Sequence, residues 1–435
     1  MGLGKSKQAL DACAQLSLTR ILAIAPKTLT YNWAAEIEKW YPDWNVWVLD
    51  DNPNKRRTDW IEWDEEQTGD CPQPCVMISN YEKVSLSDWP MDIRWDVVIP
   101  DECQALKNTS IKRHKAVKQL KTDRLWGLSG TPMELRVEEL FGIMSLIRPA
   151  VFGSWLRFRD QHVMTDAFGN TVGPRNLDLL KERIAPWVTR RKKEDVLAQL
   201  PPKLYNTLFI DMPPDEAKEY THIKKEFLKW LEENEYNPNN ATTMTQMLRL
   251  QQFTCSPNLL DEEVGQAGAK FDALEDLIKE WDGQIMVFTR FSQMAYRLLS
   301  WLGLPSSAII AGEVPAKGRV SVVTAFNAGQ LGKTLVSTDA GAYGLNVTGA
   351  NLVIHYDQLW NPGKMWQRED RLHRIGQKDT VNVLNMITRD TIDEGMVNVL
   401  EKRRGLFKEV IDGSQEVELS EIGTGTLRRI VEGKI

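Results

Sequence analysis

Three stretches of the sequence combine residue types that bind and hydrolyse phosphate esters. The first is MGLGKS at residues 1–6, followed by a helical pattern from Gln8 to Leu16. A glycine-rich turn and the N-terminus of the next helix attract phosphate oxygens, and a Lys-Ser pair there reaches the outer phosphates and Mg²⁺. A chance GKS on the surface is the alternative. The phosphate-binding candidates are Gly2, Gly4, Lys5 and Ser6, with Ser6 also a Mg²⁺ ligand.

The second stretch places Asp101 and Glu102 directly after an apolar segment, Trp95 to Ile99, that predicts a buried strand. In open α/β sheets the carboxyl ends of the strands face the ligand. An aspartate there can hold Mg²⁺, and a neighbouring glutamate can polarise the water that attacks the terminal phosphate. For an isolated Asp-Glu pair, capping of a helix N-terminus is the alternative.

The third stretch, Gln367 to Gln377, reads QREDRLHRIGQ and carries an arginine at every third position. We predict a helix from Trp366 to Ile375, which would bring Arg371 and Arg374 close to one face. Guanidinium groups bond phosphate oxygens bidentately and therefore suit a triphosphate. A solvated basic helix face is the alternative.

Short apolar runs alternate with amphipathic stretches over most of the chain, and this pattern predicts βα units with parallel sheets. Strands are predicted at residues 21–26, 95–99, 284–290, 333–338, 351–357 and 381–388. Residues 212–260 have a helical pattern instead. The predicted fold class is therefore α/β with parallel sheets.

Taken together, these motifs resemble the SWI/SNF-type ATPases of helicase superfamily two. The run STDAGAYGLN…WNP…QREDRLHRIGQ, Ser337 to Gln377, is similar to motifs five and six of that family, and SGTP at residues 129–132 to motif three. The resemblance covers Met1 to about Gly413, and WNPGKMWQREDRLHRIGQ resembles the annealing-helicase-like branch more than the nucleosome remodellers. It implies two RecA-like lobes with a helical insertion and bridge, and ATP with Mg²⁺ bound in the cleft between the lobes.

The sequence departs from the family wording near two motifs. Cys103 stands for the usual Ala, Gln104 for His, and Pro100 precedes the Asp. Leu135 stands where the family usually has Asn, which puts one polar contact in doubt.

The resemblance also implies residue roles and a function. Implied catalytic residues are Glu102, Arg371 and Arg374; nucleotide contacts are Gly2, Gly4, Lys5, Ser6, Asp101, Gln104, Gly341 and Gln367; Mg²⁺ ligands are Ser6 and Asp101; DNA contacts are Pro26, Lys27, Ser129, Thr131, Thr338, Trp360 and Asn361. The implied function is ATP-driven translocation along double-stranded DNA without sequence preference. A strand-separating DNA or RNA helicase, a non-enzymatic DNA-binding scaffold and an unrelated P-loop kinase are alternatives.

The expected domains are lobe one at residues 1–203, with a helical insertion at about 134–200, a helical bridge at 204–268, lobe two at 269–413 and a C-terminal brace at 414–435. Because Met1 already lies inside the phosphate loop, we also expect an N-terminally incomplete protein that binds ATP weakly.

Composition restricts the partners. A net charge of −6 means that a nucleic-acid site must be a local basic patch. No apolar run reaches the length of a membrane span, so no membrane partner is expected. Of the five cysteines only Cys71 and Cys75 are close in sequence, which predicts free thiols rather than zinc ligands. We expect an intracellular protein, cytoplasmic rather than nuclear, from a prokaryote or a virus.

Overall fold

The computed structural model describes residues 3–49, 52, 55, 58, 63, 73–86, 91–130, 137–165, 171–191, 193–196, 200–233, 241–260, 267–342, 344–407, 428 and 430–431. The chain divides into two compact units, Met1–Arg191 and Lys192–Ile435. Each unit contains a parallel sheet, which confirms the α/β class predicted from the sequence. No described helix has the length and apolar character needed to cross a bilayer.

The main sheet of the first unit is parallel, with strand order β2-β3-β1-β5. Parallel bridges Val98↔Leu125 and Asp101↔Leu128 extend the pairing beyond β5. Two small two-stranded ladders accompany it, β4 with β6 and β7 with β8. The strands are β1 (Arg20–Ala25), β2 (Asn45–Val48), β3 (Cys75–Asn80), β4 (Arg94–Trp95), β5 (Val97–Pro100), β6 (Lys121–Thr122), β7 (Val163–Thr165) and β8 (Thr171–Pro174).

Helices cover both faces of this sheet. They include α1 (Lys5–Gln15), α2 (Thr30–Trp40), α3 (Tyr81–Leu86), α4 (Lys112–Gln119), α5 (Glu138–Ile147), α6 (Trp155–His162) and α7 (Leu177–Ile184). Leu10, Trp33 and Ile37 of α1 and α2 pack in the core on one face, whereas Val84 and Val117 of α3 and α4 pack on the other. Because both faces are covered, β1 carries the continuous apolar run ILAIA, Ile21–Ala25, rather than an alternating pattern.

The second unit contains a six-stranded parallel sheet of order β11-β12-β10-β13-β14-β9. Its strands are β9 (Lys203–Ile210), β10 (Gln284–Phe288), β11 (Ile309–Ile310), β12 (Thr334–Ser337), β13 (Ala350–His355) and β14 (Val381–Thr388). Its helices include α8 (Lys193–Val196), α9 (Pro214–Glu233), α10 (Ala241–Cys255), α11 (Ala269–Glu280), α12 (Ser292–Trp301), α13 (Ala316–Asn327), α14 (Pro362–Glu369) and α15 (Ile392–Phe407).

Apart from its first residue, strand β9 lies within the region for which the sequence predicted a helical bridge, 204–268. It pairs in parallel with β14 along its whole length, from Lys203↔Val381 to Ile210↔Thr388. The strand was not predicted because it lies at an edge of the sheet, where Leu204, Tyr205 and Phe209 stay exposed and no buried apolar run marks it. The predicted helices of the bridge are present as α9 and α10.

Helices α9 and α10 share one apolar cluster with α15. Tyr220 and Phe227 of α9 meet Leu250 and Phe253 of α10 there. Ile430 and Val431 of the C-terminal tail belong to the same cluster. Almost all of the brace predicted at residues 414–435 otherwise lies outside the described residues.

Candidate functional site

The glycine-rich turn before α1 has the geometry expected of a phosphate loop. Gly4 caps the helix with φ 69° and ψ 38°, a left-handed conformation that glycine adopts without strain. Helix α1 then begins at Lys5, so the amides of its first turn and the side chains of Lys5 and Ser6 lie at the helix N-terminus, where anions bind. Gly2, the other predicted glycine of the loop, lies outside the described residues.

The carboxyl ends of the parallel strands bring the other predicted residues of the first unit to one edge of the sheet. Pro26 and the exposed Lys27 follow β1, and Asp101 follows β5, which pairs with β1. Ser129 follows the segment whose Leu128 bridges to Asp101. The structure therefore brings these residues to one edge of the sheet, whereas Thr131 and Leu135 lie outside the described residues.

Asp101 is a buried carboxylate held by uncharged donors. The indole Nε1 of Trp33 donates to its Oδ2 at 2.9 Å, and the backbone N of Glu102 donates to its Oδ1 at 2.9 Å. The hydroxyl of Tyr81 donates to its carbonyl oxygen at 2.6 Å. Burial and the adjacent charge of Glu102 raise the pKa of Asp101 to about 6, although Lys5 partly opposes the shift.

Glu102 is aimed by its backbone and by a chain of hydrogen bonds. Its φ of 50° is a left-handed conformation that is uncommon for a residue with a side chain. Gln104 Nε2 donates to Glu102 Oε2 at 2.7 Å, and Ser129 Oγ donates to Gln104 Oε1 at 2.7 Å. Gln104, which replaces the histidine of the family wording, therefore connects Glu102 to Ser129 of motif three through its two amide atoms.

Trp33 and Tyr81 were not predicted as site residues. Trp33 and Ile37, four residues apart on α2, are both buried and give an ordinary core pattern. A buried indole N–H needs a hydrogen-bond acceptor, and this requirement is the one feature of the sequence that could have pointed to a polar partner for Trp33.

In the second unit, the turn after β12 carries two predicted residues. Thr338 is buried, and its Oγ1 accepts a 3.3 Å bond from the backbone N of Ala340. Gly341 lies three residues after Thr338, and its backbone N donates to the carbonyl of Thr338 at 3.0 Å. A Cβ at Gly341 would lie 2.1 Å from Ser337 Oγ, so only glycine fits this turn without a shift of its neighbours.

The helix predicted from Trp366 to Ile375 is wrong in its position. Helix α14 begins at Pro362, because Asn361 Oδ1 accepts from the backbone N of Gly363 at 2.8 Å and caps it. The helix ends at Glu369, and short-range bonds such as Arg374 N to Leu372 O then form a turn. Arg371 and Arg374 therefore lie in this turn rather than on a shared helix face.

The turn nevertheless fixes both arginines. Arg371 is buried, and its Nε donates to the carbonyl of Gln367, itself buried, at 3.0 Å. Arg374 Nη1 donates to the carbonyl of Leu345 at 2.9 Å and also to Asn346 Oδ1. Motif six is thereby connected to the end of motif five.

Arg368, the first arginine of the series, belongs to the core instead. Its side chain is fully buried, pairs with Asp339 at 2.6 Å and lies 5.3 Å from the ring centroid of Phe288. Trp360, a predicted DNA contact, is partly buried against the cluster of α9, α10 and α15, and Asn361 uses its side chain as the cap of α14.

The oxygen ligands predicted for Mg²⁺ fit that ion. No group of three or more His, Cys, Asp or Glu side chains that could hold a metal occurs in the described part of the chain. Mg²⁺ bound with a nucleotide needs fewer protein ligands, since phosphates and water complete its shell around one or two carboxylates. Asp101, with Ser6 at the start of α1, supplies oxygen donors of this kind.

Comparison with known families places the chain in a defined class. Residues 1–259 match the SNF2-related domain, and residues 269–376 match the helicase conserved C-terminal domain. The chain belongs to the SNF2-related family.

Individual relatives cover almost the whole chain. It is 29% identical to the putative ATP-dependent helicase/translocase YwqA of Bacillus subtilis, over 99% of this chain and 48% of that protein. It is 28% identical to the DNA annealing helicase and endonuclease ZRANB3 of Bos taurus, over 97% and 39%. The chain thus spans about half the length of the curated relatives it matches, or less. A solved SWI2/SNF2 ATPase core of Sulfolobus solfataricus in complex with double-stranded DNA matches at 27% identity and TM-score 0.42, covering 99% of this chain and 91% of that one.

Proposed function

We propose that this chain is an ATP-driven motor that translocates along double-stranded DNA without reading its sequence. The observation that carries the proposal is the hydrogen-bond chain from Ser129 through Gln104 to Glu102. Ser129 belongs to a motif that we assign to DNA, and Glu102 to hydrolysis. These hydrogen bonds therefore support coupling between DNA binding and ATP hydrolysis, which a motor requires and a passive scaffold does not.

The nucleotide roles follow from the first unit. The amides at Gly4 and the start of α1 would cradle phosphate, and Lys5 would neutralise the outer phosphates. Ser6 and Asp101 would hold Mg²⁺, which supplies charge neutralisation on the phosphate oxygens when bound. Glu102, held by Gln104, would accept a proton from the attacking water.

Arg371 and Arg374 would stabilise the charge that develops in the transition state. Both guanidiniums are already oriented by oxygen acceptors of their own unit, so little reorganisation is needed when the phosphate arrives. Gly341 and Gln367 would complete the nucleotide contacts of the second unit.

We assign DNA contacts to Pro26, Lys27, Ser129, Thr131, Thr338, Trp360 and Asn361. A backbone-reading interface is consistent with these residues, because most of them offer amides or hydroxyls that bond phosphate oxygens. Support also comes from relatives named as helicase, translocase and DNA annealing helicase.

The test compares ATP hydrolysis with no nucleic acid, with duplex DNA, with single-stranded DNA and with RNA. Duplex DNA should stimulate turnover most, and its affinity should fall with salt by roughly 0.9 log units per log unit of salt for each phosphate contacted. Stimulation by single strands alone, or efficient strand displacement, would favour the strand-separating helicase. Duplex binding without hydrolysis would favour the scaffold.

A further inference from the structure

A cluster of opposite charges lies beneath the turn that carries Arg371 and Arg374. Lys193 Nζ and Lys203 Nζ both donate to Asp370 Oδ1, at 2.8 and 2.9 Å. Lys203 Nζ also donates to Glu369 Oε2 at 3.0 Å, and the hydroxyl of Tyr205 donates to the same oxygen at 2.7 Å. The side chain of Glu369 is fully buried, and those of Lys193 and Asp370 are 9% exposed.

Stability alone does not account for such a cluster. Removing two lysines and two carboxylates from water costs free energy, and apolar side chains of similar volume often stabilise a core as well or better. A buried cluster of paired charges is stable only when the charged groups keep their relative positions, because a displaced partner leaves a buried charge uncompensated. The question is therefore which geometry this cluster fixes.

The cluster fixes the turn rather than the helix. Glu369 and Asp370 lie at the C-terminal end of α14, directly before Arg371. Lys193 Nζ also donates to the carbonyl of His373, and the Nε2 of His373 hydrogen bonds with the carbonyl of Pro201 at 2.7 Å. The segment from Asp370 to Arg374 follows the end of α14, and these contacts hold it at Asp370 and at His373.

The lysines come from the segment where the chain enters the second unit. That unit begins at residue 192, so Lys193 is its second residue, and Lys203 is the first residue of the edge strand β9. We propose that Lys193 and Lys203 are positioning residues for ATP hydrolysis, which hold the Asp370–Arg374 turn so that Arg371 and Arg374 meet the transition state. This inference rests on the hydrolytic role proposed for the two arginines.

The experiment separates positioning from folding by means of a matched pair of variants. Lys203→Met breaks the cluster, whereas Lys270→Met breaks another buried ion pair of the same unit, Lys270–Asp393, with both side chains 2% exposed. Each purified full-length variant is compared with wild type for ATP affinity and for the single-turnover hydrolysis rate with duplex DNA. Thermal unfolding establishes the temperature at which each variant is fully folded.

We expect Lys203→Met to lower the single-turnover rate by about 10- to 100-fold, since a misplacement of about 1 Å costs this much. Its ATP affinity should change by less than about threefold, because binding is assigned mainly to the first unit. Lys270→Met should lower the melting temperature while keeping the rate within about threefold of wild type. Lys203→Arg, which keeps the charge, should recover part of the rate.

Lys193→Met keeps the proposal testable if Lys203→Met does not fold, because Lys203 still compensates Asp370 in that variant. A folded Lys193→Met or Lys203→Met variant with the wild-type rate would overturn the proposal, as would equal rate losses in the Lys203 and Lys270 variants. A wild-type protein without ATPase activity would instead refute the proposed function. An inactive Arg374→Ala variant beside active lysine variants would refute the positioning role alone.

Discussion

Each unit buries a pair of adjacent carboxylates, Asp101–Glu102 in the first and Glu369–Asp370 in the second, but their surroundings are opposite. Uncharged indole and backbone N–H groups bond Asp101, and burial next to Glu102 raises its pKa to about 6. Burial by itself would raise the pKa of Glu369, but the positive charge of Lys203 outweighs this effect and lowers the pKa to about 2.

From this difference we infer a separate role for each pair. A raised pKa in a buried carboxylate indicates that its negative charge is not compensated by cationic side chains. A cation that arrives with a ligand can supply the missing compensation and is therefore bound favourably. A carboxylate already paired with lysines has no such charge to offer and serves to hold the chain in place. The first pair therefore reads as a site for a ligand, and the second as internal structure next to a site.

The largest effect should come from the arginine beside the second pair. Arg374→Ala is expected to lower the hydrolysis rate by roughly 10³-fold or more, as loss of an arginine finger does, with little change in DNA affinity. Single-turnover hydrolysis and duplex binding measure the two quantities. If duplex binding collapsed while hydrolysis persisted, Arg374 would be a DNA contact instead.

Glu102→Gln should follow in size. Loss of a general base costs about 10²- to 10⁴-fold in turnover, while the amide keeps an acceptor for Gln104 and ATP affinity stays near that of wild type. Steady-state ATPase assays and nucleotide titration provide the measurements. Normal turnover in this variant would remove Glu102 from the mechanism.

The two pairs should differ in stability when one charge is removed. Glu369→Gln leaves Lys203 with less compensation and should cost about 3–5 kcal/mol of unfolding free energy, as breaking a buried ion pair does. Asp101→Asn removes a carboxylate without a lysine or arginine bonded to it, and unfolding free energy should stay the same or increase. Denaturant titration without nucleotide measures both, and equal losses would abolish the contrast.

Acid should protonate Glu369 of the second pair only at a pH below the ordinary pKa of a glutamate. Because the folded pKa of Glu369 is about 2, its contribution is present above the unfolded pKa, about 4.3, and is lost as the pH falls towards 2. The contribution amounts to about 3 kcal/mol from a shift of roughly two units. Denaturant melts between pH 5 and 2 should show a smaller decrease in Glu369→Gln than in wild type, and parallel curves would contradict the low pKa.

Much of this organisation could be predicted from sequence, for identifiable reasons. The strand before Asp101 was predicted because continuous apolar runs mark buried parallel strands. The site residues at strand ends follow from that pattern, because parallel strands end at one edge.

What failed depended on contacts distant in the sequence. Strand β9 has exposed apolar residues and is a strand only because β14 pairs with it. The end of α14 at Glu369 could not be read from the arginine spacing, since Glu369 and Asp370 are held by Lys203 and Lys193 from far upstream. The hydrogen bond from Trp33 to Asp101 depends on the approach of α2 to the end of β5, which residue spacing alone does not show.

The place of β9 at the edge beside β14 has a consequence for how the protein is made. Among the described strands of the second unit, the first, β9, pairs with the last, β14, which emerges from the ribosome roughly 180 residues later. At typical synthesis rates that is a delay on the order of ten seconds to half a minute. Pairing across such a separation also raises the contact order of the unit and slows its folding. During that interval the backbone of residues 203–210 lacks its β14 partner, so a nascent chain stalled before residue 381 should be cleaved by protease within 203–210, and a chain released after residue 388 should resist cleavage there.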